Sequence, residues 1–323
     1  MKTPHGIVLT LPLMIALLTG CSRQGALSGP QSSGTNGAGP DQAEVASALA
    51  ADPSFVNDEI SEVADQTTLE APASASAGAD AGLFSAEAAI RPLAFWRQIR
   101  SVERKFEFAF ADTDSTGRPT TAVVTAHRFM LGTFNILVGD QVPEGSPPQA
   151  HVVHKPLADH GVRRLLLKRV PVPDAASDRR AWRLVATSGV RITSREALTR
   201  IESLRIQSGP FDTTITEPLA FFRLRSIIKL DPLADVTLTA TTLREDDVVL
   251  LHLRDQRVRF RNNGDRTYSA TFRVPDLTGL HHVGVNALSN GTLFDDAAPY
   301  DSQSWIEPYL VHPLQLAEGT PLD

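Results

Sequence analysis

Gly264-Asp265-Arg266-Thr267-Tyr268-Ser269-Ala270-Thr271-Phe272 decides the fold. The turn-forming pair Asn262-Asn263 precedes it, and Tyr268, Ala270 and Phe272 then alternate with Thr267, Ser269 and Thr271. A period of two with β-branched and aromatic residues marks a half-buried strand. Pro275-Asp276-Leu277-Thr278-Gly279 closes the run, and Val283-Gly284-Val285 opens the next. Working outward, residues 235–241, 248–253, 257–261, 268–274, 283–288 and 305–311 read as short strands separated by turn chemistry. Strands recurring this regularly over about 85 residues predict a β-sandwich spanning 231–315.

The stretch 264–272, with Gly279 and Val283-Gly284-Val285, resembles bacterial immunoglobulin-like or fibronectin-type-III-like modules. The resemblance covers roughly fifty residues and implies an Ig-like β-sandwich. It says nothing of activity, because sandwiches host many. The disulfide of antibody-type domains is absent, since Cys21 is the only cysteine.

Upstream, residues 86–230 predict an α+β domain, a helix on a curved antiparallel sheet. Pro92 suits a first helical position, with Leu93, Trp96 and Ile99 on one face. Phe106, Phe108 and Phe110 then alternate with polar or small residues, residues 112–117 form a turn, and 120–129, 163–170 and 181–192 read as strands. Thr193 with Glu196 fits a capping box for a short helix carrying Leu198 and Ile201. This order loosely resembles the cone-shaped cystatin-like or nuclear-transport-factor-like fold. Pro92-Leu93-Ala94-Phe95-Trp96-Arg97 echoes Pro218-Leu219-Ala220-Phe221-Phe222-Arg223, which reads as reused local chemistry rather than duplication. Residues 91–230 hold 22 basic and 13 acidic side chains, and 231–323 hold 7 and 14. Opposite charge signs favour two domains.

The amino-terminal end has a different character. Lys2 precedes the apolar run 7–18, which is too short to span a bilayer as a helix and matches a signal-peptide core over 1–20. Leu18-Thr19-Gly20-Cys21 resembles the bacterial lipobox. That resemblance implies cleavage before Cys21, a covalent lipid on its sulfur and attachment to the membrane. Ser22, where an Asp would signal inner-membrane retention, implies the outer membrane. The next segment, 21–85, is rich in Ser, Ala, Gly and Pro; residues 22–90 carry ten acids against the single base Arg23. Such composition predicts a disordered acidic linker. Residues 316–323 read as a tail.

Candidate chemistry is sparse. Asp112 and Asp114 open like a calcium loop, but Val123 stands where the bidentate Glu belongs, so a hairpin turn is favoured. His151, His154 and His160 are weak zinc candidates, because neighbouring strand spacings send side chains to opposite faces. Asp295, Asp296 and Asp301 are a weak calcium set. Arg163, Arg164, Lys168, Arg169, Arg179, Arg180 and Arg183 could meet an anionic surface if they share a face. Gly-x-Ser-x-Gly, Walker and dinucleotide motifs are absent from the sequence.

These observations favour a membrane-anchored, extracytoplasmic, non-catalytic binding protein of the cell envelope. Its expected partner is an envelope protein or an anionic glycolipid. No cofactor beyond the lipid on Cys21 and no nucleic acid are expected. The alternatives are a metal-assisted hydrolase using His151, His154 and His160, and a structural spacer.

Overall fold

The computed structural model describes residues 39–51, 66–68, 90–139, 150–172, 180–196, 198–253 and 257–312. The chain is mainly β, as the alternation requires. Residues 1–20, read as a signal peptide, Cys21 and most of the segment read as a linker lie outside the described residues.

A three-residue strand β1 (Gln66–Thr68) edges four long ones: β2 (Pro92–Thr113), β3 (Pro119–Gly139), β4 (Ala150–Pro171) and β5 (Arg180–Ser194). These pair antiparallel in sequence order. At 22, 21 and 22 residues, β2 to β4 are more than twice ordinary strand length and run roughly 70 Å at about 3.3 Å per residue. The β2–β3 turn is closed by Asp114, whose Oδ1 accepts from Thr116 N, Thr116 Oγ1 and Arg118 N. The hairpin expected there is present.

The helix expected at Pro92 is strand instead. From Ala94 to Ile99 each residue is registered against Leu137 to Gly132 of β3. Phe95, Arg97 and Ile99 therefore share the inward face, and Trp96 points the other way. The helical recurrence of Leu93, Trp96 and Ile99 was a coincidence of two strand faces. A helix does pack on this sheet, but it comes from the segment expected to be disordered. Helix α1 (Pro40–Ala51) buries Val45 and Leu49 against Ala122, Val124, Leu165, Leu167 and Trp182.

The rest of the chain supplies β6 (Ile201–Ser208), β7 (Phe211–Ile215), β8 (Phe222–Arg223), β9 (Ile228–Leu230), β10 (Asp235–Thr242), β11 (Val248–His252), β12 (Arg257–Arg259), β13 (Arg261–Gly264), β14 (Thr267–Arg273), β15 (Gly279–Leu288) and β16 (Ser302–Val311). A five-stranded sheet has the order β13-β14-β10-β6-β7. The other sheet continues from β5 through β16, β15, β11 and β12, with β8 on β5 and β9 on β16.

Two sequence expectations fail here for related reasons. The capping-box helix at 193–201 is absent: β5 runs to Ser194, and the N–H groups of Leu198 and Thr199 donate to the Asp301 carboxylate at 3.1 and 3.0 Å. The chain crosses to the other sheet and enters β6, which pairs with β10. The sandwich thus begins at Ile201, not at 231, and the boundary drawn at 230 cuts through it. The pairing of Val190–Thr193 with Gln303–Ile306 also makes the long meander and half the sandwich one sheet.

Two of the core's seams share one layer. Val236, Leu238 and Phe272 face Val249, Val285 and Trp305 across the sandwich. On their other side, β11 and β15 present Val248, Leu250 and Leu288 to Phe95, Phe134, Ile136 and Leu157 of the long sheet. All five residues of β11 are consequently buried. A strand covered on both faces reads as a continuous apolar run.

Candidate functional site

The side of the sandwich between the two sheets is open. Gly209-Pro210 turns β6 into β7, with Gly209 at φ +53°, a backbone state that suits glycine in a two-residue hairpin. Phe211, Thr213 and Ile215 of β7 are half-buried and look inward. Opposite them, β9 pairs in parallel with Tyr309–Val311 of β16. Between these walls lies a groove of about 540 Å³, lined by β7, by Phe222, Arg225, Ile228 and Lys229, and by Glu307 and Pro308 at its floor. Its size falls within the range of ligand sites.

The floor marks where β5 leaves β16 and β9 takes over. Glu307 is 3% exposed there. Its carboxylate lies over Gly189, where an added Cβ would come within 2.6 Å of Oε2. Only glycine leaves room for that acid. Arg225 and Lys229 are exposed on the rim, and neither joins a salt bridge among the described residues.

The histidines of β4 do not converge. Neighbouring strand residues alternate faces, so His151 faces away from His154, and His154 and His160 are six residues apart on one strand. His154 donates from Nδ1 to Asn135 Oδ1 at 2.7 Å. His160 Nε2 lies 3.0 Å from His127 Nδ1. Asp301 is buried and occupied: besides the two backbone N–H groups, it accepts from Thr199 Oγ1 at 2.9 Å and Ser194 Oγ at 3.2 Å. Asp295 accepts from Ala297 N. Among the described residues no three His, Cys, Asp or Glu side chains are grouped to hold a metal ion. Neither proposed metal set is assembled.

The basic residues divide between two faces. Arg163 and Arg169 are buried on the inner face with Leu165 and Leu167. Arg169 donates to Asp41 Oδ1 at 2.7 Å and to Glu44 Oε2 of α1, with its guanidinium 5.1 Å over the Trp182 ring. Arg164 and Lys168 lie on the outer face; Arg164 sits 4.5 Å over the Phe221 ring, and Lys168 is registered against Arg183. Arg180 is exposed at the start of β5, and Arg179 lies outside the described residues. The single anionic-surface patch requires one face, and the strand period splits it.

No protein-family model matches the chain, and neither does any curated protein or solved structure.

Sequence reading missed two clusters. On the outer face His127, Phe129 and His160 stack, with Phe129 and His160 nearly parallel at 4.5 Å, and Glu107 Oε2 lies 3.4 Å from His127 Nε2. Burial, then the neighbouring His127 and Arg191 charges, lower the pKa of His160. Between the layers, Arg97 lies 3.6 Å from Asp159, and Tyr300 donates to the same carboxylate at 3.2 Å. Desolvation raises Asp159 to about 6 against those two opposing influences. The β3–β4 register sets His160 opposite Phe129 and diagonally beside His127, but registers are not legible from one strand. No described helix is long and apolar enough to cross a membrane.

Proposed function

We propose that this chain is a lipid-anchored, extracytoplasmic binding protein, with its lipid on Cys21 and its partner held in the groove between β7 and β9. The groove carries the reading: it is ligand-sized, apolar on Phe211, Ile215, Phe222 and Ile228, and basic on its rim. Pockets that bind ligands are mostly apolar with a few placed polar groups. The lipobox at Leu18-Thr19-Gly20-Cys21 supports the anchor, and Ser22 supports outer-membrane residence. An envelope protein suits the groove better than an anionic glycolipid, because the basic side chains of β4 and β5 point to both faces of the sheet. The hydrolase reading loses its ligand set. A spacer role draws separate support from the length of β2 to β4, roughly 70 Å each at about 3.3 Å per residue.

Two measurements test the reading. Mass spectrometry of the mature amino terminus should find a lipidated Cys21, and Cys21→Ser should move the protein from the membrane to the soluble fraction. An apolar fluorophore that brightens out of water should bind the purified protein and lose at least tenfold in affinity in Ile215→Asp. An unmodified cysteine overturns the anchor, and unchanged fluorophore binding overturns the groove.

A further inference from the structure

The two edges of the five-stranded sheet are built differently. At one end β13 exposes all four of its residues, begins with Arg261 and carries a register shift between Asn262 and Gly264. A charge and a bulge are the usual protections of a sheet edge against another strand. At the other end β7 has no bulge. Its register with β6 runs unbroken from Leu204↔Ile215 to Ser208↔Phe211. It contains no lysine, proline or bulge, and its one charge, Asp212, is held by the guanidinium of Arg205. No described strand pairs with its outer side.

That open edge borders the groove. Phe211, Thr213 and Ile215, every second residue of β7, line the same cavity as Phe222 and Ile228. A strand laid beside β7 would direct its own alternate side chains into that space, since residues two apart share a face. Main-chain hydrogen bonds would give such a partner affinity, and the pocket would read its side chains. Arg225 and Lys229 on the rim add charge selection for carboxylates.

We propose that an extended segment of a partner protein adds to β7 as a sixth strand. It places alternate apolar side chains in the groove and acidic ones against Arg225 and Lys229. The five residues of β7 set the length read to about five or six residues, near 17 Å. This rests on the groove being the binding surface.

The probe is a blocked, labelled heptapeptide, Glu-Val-Thr-Leu-Thr-Val-Glu, titrated by fluorescence polarisation against the purified protein. Two control peptides accompany it, one N-methylated at alternate backbone positions and one with Lys in place of Glu. Saturable binding is expected, weakened at least tenfold by N-methylation and at least fivefold by Lys. The double variant Arg225→Glu/Lys229→Glu, at exposed positions, should reverse the charge preference with an unchanged melting temperature. Thr213→Lys should weaken the parent peptide at least tenfold.

Equal binding of the N-methylated peptide overturns strand addition. So does absence of peptide binding; if the apolar fluorophore still binds, the groove reading survives and only the strand partner is lost. A dimer in sedimentation that Thr213→Lys dissolves identifies a second copy as the occupant and overturns the proposal as well.

Discussion

Undocking of α1 offers the sharpest test of how the long sheet is held. Val45 is fully buried and Leu49 is 6% exposed, and both rest on the seam formed by Ala122, Val124, Leu165, Leu167 and Trp182. Truncating Leu49 to alanine removes a buried side chain and leaves a cavity, at about 2–5 kcal/mol. Val45→Ala adds about 1–2 kcal/mol at ~0.8 kcal/mol per methylene-sized group. Since ~1.4 kcal/mol is tenfold, the double variant should lower the docked-to-undocked ratio more than a hundredfold. The ion pairs of Arg169 with Asp41 and Glu44 do not compensate, because they hold the helix only while it is seated. Two signals report the change. Trp182, 4% exposed, should shift its emission to the red, and a glutamate-specific protease should cut after Glu44. Unchanged emission together with unchanged cleavage would refute the account of α1 as a packed element.

Three further outcomes follow from particular contacts. Gly189→Ala drives a methyl group into the Glu307 carboxylate and should cost about 1–3 kcal/mol in denaturant melts as an overpacked site, with loss of fluorophore binding in the groove. Asp301→Ala strands the N–H groups of Leu198 and Thr199 and two hydroxyls; a loss of roughly 3–5 kcal/mol is expected, and a change under 1 kcal/mol would contradict the crossing described. Asp247 is buried, neither of its oxygens has a hydrogen-bond partner, and desolvation raises it to about 7. A carboxyl whose folded value stands above its ordinary 3.8 keeps its proton better folded than unfolded. Its contribution is therefore most favourable at low pH and is lost as pH rises from about 4 to 7. Asp247→Asn should gain on the wild type across that interval, by roughly 2–3 kcal/mol, less than the whole shift because solvent reaches the neighbouring loop. A difference between the two proteins that stays flat from pH 4 to 8 would be decisive against it.

The sandwich strands were legible because their alternation is local. Tyr268, Ala270 and Phe272 face the core as the quoted stretch requires. The helix at Pro92 failed because a three-residue recurrence also arises when strand residues from both faces happen to be apolar. Helix α1 was hidden by averaging: Gly39-Pro40-Asp41 carries start signals, and Val45, Ala48 and Leu49 form a stripe, but the surrounding polar composition masked them. The candidate sites fared worse. The groove depends on β7, β9 and β16 meeting across about a hundred residues, and His127 and His160 meet only through strand register. No spacing within one segment carries that information.

The layer made by β11, β15 and β16 serves two cores at once, and this leaves no seam at which the protein can be divided. A fragment ending at 230 would lay bare Phe95, Phe134 and Leu157, while one starting at 231 would lack β6 and expose Leu238. Neither piece has the makings of an independent folding unit, so excision, fusion or swapping of halves is better replaced by substitutions within the intact chain.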